Sequence, residues 1–231
     1  MGSALGTSWE IGGMTELVVA FDFDGTLSDS EMTVLLGEQQ GVGADMRRIT
    51  DRAMNDEIGY AESLRTRVAL LEGLDRDAVE AAFSAVRLRP GASEILSRLG
   101  STSGVCTAIL TGGFDDGVAH ALSRDGVNVD YIIANRLVEA DGHLTGDVDG
   151  PLIEGTKDEA LEALVTSVDS TLEGTIAVGD GANDLPMLEV AGLAVGFLPK
   201  PAVEPACDVI VRSMAELAEL IDGELDHRGL E

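Results

Sequence analysis

The segment VVAFDFDGTLSDSE, residues 18–31, decides the fold of this chain. Its apolar, β-branched beginning predicts a buried parallel strand, which ends in two aspartates, Asp22 and Asp24, separated by one phenylalanine. Side chains two positions apart in an extended segment point the same way, so these carboxylates would repel each other. Burying a carboxylate without a partner is also unfavourable. The pattern therefore predicts a positively charged group between the two aspartates.

The charge of the chain is its most unusual bulk property. Its 231 residues include 42 acidic and 15 basic side chains, a net charge of −27, and only Lys157 and Lys200 are lysines. This balance predicts a protein from a halophile, because concentrated salt screens charges over a few Å and makes carboxylate self-repulsion tolerable. Nucleic acid is not expected as a partner, because binding phosphates requires a basic face.

Other bulk features predict a cytoplasmic protein. No apolar run approaches the roughly 20 residues that a membrane-spanning helix needs, so no membrane association is expected. Cys106 and Cys207 are too few to suggest a disulfide framework, which fits a reducing compartment. Residues 1–14 lack the basic and apolar segments of a secretory signal and are expected to form a disordered leader. The composition leaves monomer and homodimer open.

The order of predicted elements indicates a doubly wound parallel sheet with a Rossmann-like core. Four segments with helical spacing follow the first strand, and strands and helices then alternate. The run RLVEADGHLTGDV predicts a β-hairpin that turns at Asp141 and Gly142. The predicted units are an α/β core at 15–29 and 87–223, a small helical-bundle cap at 30–86 and a flexible tail at 224–231.

Acidic residues follow two of the predicted strands. Ligands of doubly wound sheets bind beyond the carboxyl ends of the strands, where the winding reverses. Asp22, Asp24 and Asp180 are expected at that edge, and three carboxylates form a hard-oxygen site that suits Mg²⁺. Asp184, four residues beyond Asp180, could orient a ligand or a bound water.

Two further strand-end and helix-start features point to a phosphate. Thr111, Gly112 and Gly113 lie between a strand and a helix, so their N–H groups and the threonine hydroxyl could hold a phosphate oxygen. Lys157 is expected at the start of a helix, where its ammonium could neutralise both a carboxylate and a phosphate.

Taken in order, the motifs DFDGTLS, LTGGF, Lys157 and VGDGANDLPML resemble the four motifs of the haloacid dehalogenase-like phosphatases. Within that family, DRAMNDEIGYAESLRTRVALLEGL and IIANRLVEADGHLTGDV are similar to segments of the phosphoserine phosphatases of serine biosynthesis. The resemblance covers about residues 15 to 222. It implies Mg²⁺-dependent hydrolysis of O-phospho-L-serine through an aspartyl-phosphate, which is the last step of serine biosynthesis.

The resemblance also implies a role for each site residue. Asp22 would be the nucleophile, and Asp24 would be the general acid and then the base. Mg²⁺ would be held by Asp22, the main-chain carbonyl of Asp24, and Asp180. The expected substrate contacts are Thr111, Gly112, Lys157 and Asn183 to the phosphoryl group, Glu31 to the ammonium and Arg67 to the carboxylate, with Met54 and Tyr60 as apolar wall.

Alternatives remain open at this point. A member of the same family could act on another small phosphorylated metabolite, or transfer the phosphoryl group to an alcohol acceptor. A non-enzymatic phospho-acceptor module also uses strand-end aspartates, Mg²⁺ and a lysine. Asp24 and the helical cap argue against that module, because the module needs neither an acid–base carboxylate nor a cap. In each enzymatic reading the partner is a small phosphorylated molecule.

Overall fold

A computed structural model describes residues 15–54 and 57–230. The predicted leader, residues 1–14, lies outside the described residues. The described chain forms a seven-stranded sheet, in the order β4-β3-β2-β1-β5-β6-β7, in which every neighbouring pair is parallel except β3 and β4. The strands are β1 Leu17–Phe21, β2 Val105–Phe114, β3 Tyr131–Ala140, β4 His143–Asp149, β5 Thr175–Gly179, β6 Leu193–Phe197 and β7 Val209–Val211.

Helices cover both faces of this sheet, because the central strand β1 is apolar on both sides. Leu17, Val19 and Phe21 belong to one core cluster, whereas Val18 and Ala20 belong to a second. The predicted doubly wound α/β fold is thereby confirmed. The helices are α1 Met32–Gln39, α2 Gly43–Met54, α3 Tyr60–Ala69, α4 Arg76–Phe83, α5 Ala92–Ser101, α6 Asp115–Asp125, α7 Pro151–Glu154, α8 Lys157–Ser167, α9 Leu185–Val190 and α10 Met214–Arg228.

The first four helices follow β1, as the sequence predicts, and the β3–β4 hairpin reaches them. The hairpin turns at Asp141 and Gly142, whose φ angles of 50° and 77° are those of a type I′ turn. Leu144 exchanges backbone hydrogen bonds with the loop between α3 and α4: it accepts from Gly73 and donates to Leu74, both at 2.9 Å. The hairpin therefore joins the core sheet to the helical segment.

Four element boundaries differ from the sequence predictions. Strand β2 continues past residue 111 to Phe114, which still pairs with Asn135 after a register shift. Strand β3 begins at Tyr131, before the predicted hairpin run that starts at Arg136. The four-residue α7 is too short to produce a recognisable helical period. The predicted flexible tail at 224–231 is wrong up to Arg228, because α10 continues and buries Leu225.

Within the described part of the chain, no helix has the length and apolar character needed to cross a membrane.

Candidate active site

The site lies where the winding of the sheet reverses. Strand β1 pairs with β2 on one side and β5 on the other, and Phe21 is in register with Ile109 and Val178. Asp22 directly follows β1 and Asp180 directly follows β5. The carboxyl ends of these adjacent parallel strands therefore bring the two aspartates to one edge of the sheet, as the sequence predicts.

A buried lysine links the two strand ends. The Nζ atom of Lys157 donates to Oδ1 of Asp22 at 2.6 Å and to Oδ1 of Asp184 at 2.5 Å. The side chain of Lys157 is only 4% exposed. A capping box formed by Thr156 and Glu159 begins α8 and fixes the backbone at Lys157. This ammonium is a positively charged group beside Asp22, but its second partner is Asp184, so it does not occupy the predicted place between Asp22 and Asp24.

Both oxygens of the Asp184 carboxylate accept hydrogen bonds. Its Oδ2 atom accepts hydrogen bonds from the backbone N–H groups of Asp180 and Gly181, each at 2.9 Å, while its Oδ1 accepts from Lys157. Carboxylate oxygens of Asp22, Asp180 and Asp184 all lie within 4.8 Å of one another. Asp184 therefore belongs to the cluster itself and also shapes the turn after β5.

The electrostatics of the cluster favour an added cation. Burial, reinforced by Asp184, raises the pKa of Asp22 well above its usual range, and Lys157 only partly opposes this. Burial and Asp184 likewise raise the pKa of Asp180. Five carboxyl groups and three cationic side chains meet around the site, which leaves two negative charges when all are ionised. They are Asp22, Asp24, Glu31, Asp180 and Asp184, and Arg67, Lys157 and Lys200.

These residues fit a divalent metal ion. Hard carboxylate oxygens are the ligands that such ions prefer, and the two excess negative charges match one divalent cation. The Asp24 carboxylate lies apart from the three clustered ones: its Oδ2 accepts from the N–H of Met32 at 3.3 Å. Its Oδ1 is buried and has no partner among the described residues. Burial, followed by the charge of Glu31, raises the pKa of Asp24, so its carboxyl group is suited to carrying a proton.

Gly25 makes the approach of the two strand ends possible. Its φ angle of 90° is in the left-handed region. A Cβ atom at this position would lie 2.6 Å from Oδ1 of Asp180. Any larger residue would therefore strain the turn and displace a carboxylate of the cluster.

The end of β2 supplies the third part of the site. Thr111 is buried, and its Oγ1 accepts a hydrogen bond from the N–H of Gly113 at 3.0 Å. The carbonyl oxygen of Gly112 accepts a hydrogen bond from the hydroxyl of Tyr60 of α3 at 2.7 Å. The segment continues as strand to Phe114 after a register shift, so these residues lie within the end of β2 and not between a strand and a helix as the sequence predicts.

A cavity of about 200 Å³ lies between this sheet edge and the helices α1 to α3. Glu31 precedes α1, and Arg67 of α3 is buried and donates to Thr33 at 2.8 Å and Thr50 at 3.2 Å. The Nη2 group of Arg67 donates to no other described residue. The cavity brings together most of the predicted site residues, including Asp22, Asp24, Glu31, Arg67, Thr111 and Asn183.

Of the two predicted wall residues, Tyr60 is the one whose side chain the structure describes. Tyr60 lines the cavity, but its hydroxyl bonds to Gly112, so its role is not only apolar as the sequence suggested. Met54 ends α2, and its side chain lies outside the described part of the structure.

The sequence of the core carries the same pattern as a known family. Residues 19–189 match the sequence model of the haloacid dehalogenase-like hydrolases, which covers both strand ends, Lys157 and Asp184. The chain belongs to the haloacid dehalogenase-like hydrolase family.

Within the haloacid dehalogenase-like family, one relative and two solved structures that resemble the chain are phosphoserine phosphatases. The chain is 49% identical, over 89% of its length and 97% of the relative, to a phosphoserine phosphatase of Halobacterium salinarum. It is similar to a solved phospho-aspartyl intermediate analogue of phosphoserine phosphatase, with a TM-score of 0.82, 37% identity, and coverage of 88% and 98% of the two chains. A substrate-bound phosphoserine phosphatase complex also gives a TM-score of 0.82, at 36% identity over 88% and 97%.

Two residues of this haloacid dehalogenase-like site had no role from the sequence. Lys200 places its Nζ 3.0 Å from Oδ2 of Asp180, and its N–H donates to the carbonyl of Asp180 at 2.9 Å. The scarcity of lysine in the chain could have pointed to Lys200, since both lysines contact this carboxylate cluster. Asn135, fully buried, donates to the carbonyl of Gly112 at 3.1 Å, and no local pattern predicted this contact.

Proposed function

We propose that this chain is a Mg²⁺-dependent phosphoserine phosphatase that hydrolyses O-phospho-L-serine to L-serine and phosphate, the last step of serine biosynthesis. One observation carries the proposal: a single cavity has Asp22, which is bonded to Lys157, and Asp24 at its sheet edge, and has Glu31 and Arg67 on its helical side. The first set suits a phosphoryl group, and the second suits a substrate with one ammonium and one carboxylate. The names of the relatives agree with it.

In the first half-reaction, a carboxylate oxygen of Asp22 attacks phosphorus while the bond to the serine oxygen breaks. Asp24 donates its proton to that oxygen, and serine leaves as the neutral alcohol. Lys157 holds the other oxygen of the Asp22 carboxylate in place through its 2.6 Å hydrogen bond. In the second half-reaction, Asp24 takes a proton from water, whose oxygen attacks phosphorus and releases phosphate and Asp22.

The metal ion would be held by Asp22, the main-chain carbonyl of Asp24, and Asp180. When bound, Mg²⁺ supplies positive charge that offsets the repulsion between the phosphate and the carboxylates. Asp184 would keep the backbone after β5 in position for this site through its two hydrogen bonds to Asp180 and Gly181. Thr111, Gly112, Lys157 and Asn183 would hold the phosphoryl oxygens.

The helices at 30–86 act in this proposal as a cap that selects the substrate. Glu31 would accept the substrate ammonium, and the Nη2 side of Arg67, which donates to none of the described residues, would bind the carboxylate. Tyr60 and Met54 would close the space around the serine methylene. The same chemistry on another phosphorylated metabolite would need a different pair of charges here.

The proposal is tested by phosphate release from a panel of phosphorylated metabolites, in molar KCl with Mg²⁺. We expect the highest kcat/KM for phosphoserine. Arg67→Ala should raise KM for phosphoserine by about 10- to 100-fold, the range for a charged hydrogen-bonded pair, and leave p-nitrophenyl phosphate nearly unchanged. Arg65→Ala is the matched control, because Arg65 lies on the same helix but pairs with Glu154 at the surface. Equal effects of Arg67→Ala on both substrates would remove the assignment of phosphoserine.

A second prediction concerns pH and Glu31. Burial raises the pKa of Glu31, and Lys200 is the strongest opposing charge. As the pH falls through this pKa, the carboxyl loses the charge that binds an ammonium, so KM for phosphoserine should rise. The ratio of kcat/KM for phosphoserine to that for p-nitrophenyl phosphate removes the enzyme titrations that the two substrates share. The two phosphates ionise at different pH, so the pH profile of this ratio in Glu31→Gln is the baseline. Relative to that baseline, the wild-type ratio should fall on acidification; identical profiles in the two proteins would contradict the role of Glu31.

A further inference from the structure

The carbonyl oxygen of Gly112, at the end of β2, accepts two hydrogen bonds. One comes from the hydroxyl of Tyr60 at 2.7 Å and the other from Nδ2 of Asn135 at 3.1 Å. Oδ1 of Asn135 accepts from the N–H of Leu152 at 3.1 Å, which fixes the orientation of its amide. Both lone pairs of this carbonyl are therefore occupied, and the direction of the peptide between Gly112 and Gly113 is determined.

The orientation of that peptide also determines the direction of the N–H of Gly113, which bonds to Thr111. The peptide bond is trans, so the N–H of Gly113 points opposite to the carbonyl of Gly112. It donates to Oγ1 of Thr111 at 3.0 Å. Gly112 is needed for this arrangement, because a Cβ atom there would lie 2.1 Å from the hydroxyl oxygen of Tyr60.

The hydroxyl proton of Thr111 is left without an acceptor among the described residues. Its oxygen already accepts the N–H of Gly113, so the proton is directed away from that bond. Thr111 lines the cavity beside Asp22 and Asp24. A hydrogen-bond chain thus runs from the cap to the cavity: Tyr60 to Gly112, Gly113 to Thr111, and Thr111 into the cavity.

We infer that Tyr60 is a positioning residue, which acts through the Gly112–Gly113 peptide to direct the Thr111 proton at the transferring phosphoryl group. The inference rests on the proposed function only in taking the cavity as a phosphoryl site. Each bond of such a chain polarises the next, so loss of the first donor weakens the last. Because Tyr60 begins α3, this donor is in place when the cap lies against the core.

The test begins with Tyr60→Phe, which removes the hydroxyl and keeps the ring. We expect kcat to fall about threefold with KM almost unchanged, because loss of the first donor weakens the later bonds of the chain without removing them. The Tm should fall by a few degrees, because one buried hydrogen bond is lost. The fall should be the same for phosphoserine and for p-nitrophenyl phosphate, because the chain ends on the phosphoryl group. Tyr131→Phe is the matched control: it changes the other tyrosine of the chain, which is exposed on β3, and should leave kcat at the wild-type value.

A double-mutant cycle then asks whether Tyr60 acts through Thr111. In Thr111→Val, which lacks the hydroxyl, adding Tyr60→Phe should lower kcat no further. In Thr111→Ser, which keeps the hydroxyl, it should still lower kcat about threefold; Thr111→Ala, which also lacks the hydroxyl, takes the place of Thr111→Val if the valine variant does not fold. Equal falls in the valine and serine backgrounds, or a change in KM alone, would overturn the inference. The cycle can be measured with any phosphomonoester that the enzyme hydrolyses. Its outcome therefore still tests the role of Tyr60 if phosphoserine is not the substrate.

Discussion

Asp22→Asn is expected to lower kcat on the order of 10⁴-fold or more, because the amide cannot form the aspartyl-phosphate and nucleophile replacements have effects of this size. No burst of phosphate should remain in single-turnover experiments. The substitution is nearly isosteric, and the amide oxygen can still accept the hydrogen bond from Lys157, so the architecture of the site is retained.

Stability measurements separate this loss from unfolding. Burial and Asp184 raise the pKa of Asp22, which means that its ionised form destabilises the folded protein at neutral pH. In EDTA, Asp22→Asn should therefore melt at a Tm equal to or above that of the wild type. Added Mg²⁺ should raise the Tm of the wild type and raise that of the variant much less, because one ligand is lost. Residual turnover near the wild-type rate would exclude Asp22 as the nucleophile.

Lys157→Met should have the largest effect on stability. Lys157 is the buried partner of both Asp22 and Asp184, and removing one member of a buried charge cluster costs about 3–5 kcal/mol of unfolding free energy. Lys200→Met is the matched control, because Lys200 is 38% exposed and pairs only with Asp180 among the described residues. Lys200→Met should lower the free energy of unfolding by well under about 1 kcal/mol, as expected for an ion pair screened by solvent. Urea denaturation in EDTA measures both.

The pH dependence of Lys157→Met has a definite sign. Burial alone would lower the pKa of Lys157, but Asp184 and Asp22 raise it, so the wild-type ammonium is charged throughout the neutral range. Without it, the pKa of Asp22 rises further. A carboxyl whose folded pKa is raised is less destabilising as the pH falls towards that pKa. The deficit of Lys157→Met should therefore shrink from about pH 8 to about pH 5; a deficit that is constant or grows on acidification would contradict the pairing.

The site residues that could be predicted from sequence are those whose positions follow from the order of strands and helices along the chain. Asp22 and Asp180 end parallel strands, and the rule for doubly wound sheets brings such ends together whatever the rest of the chain does. Lys157 could be predicted because a chain with two lysines places one at the start of a helix. Local pattern and topology were sufficient for these three residues.

Contacts between distant segments could not be predicted in the same way. The hydroxyl of Tyr60 meets Gly112 across 52 positions, and that carbonyl also accepts from Asn135, which is a strand residue like its neighbours in sequence. Lys200 lies in a loop after β6 whose path depends on its backbone hydrogen bond to Asp180. Such contacts depend on how segments pack, which no local period encodes. The extension of α10 to Arg228 likewise depends on the buried position of Leu225.

The bracing of the cap by the β3–β4 hairpin has a consequence for how the sequence can vary. The bonds that join Leu144 to Gly73 and Leu74 are formed between backbone atoms, so they depend on the path of the chain and not on which side chains it carries. Side-chain identity is constrained at the turn, where Asp141 and Gly142 adopt positive φ angles, and at buried positions such as Asn135 and Leu144. The hairpin can therefore accept substitutions at its exposed positions while these two backbone bonds to the cap are kept, whereas a change in its length would move Leu144 away from Gly73 and Leu74.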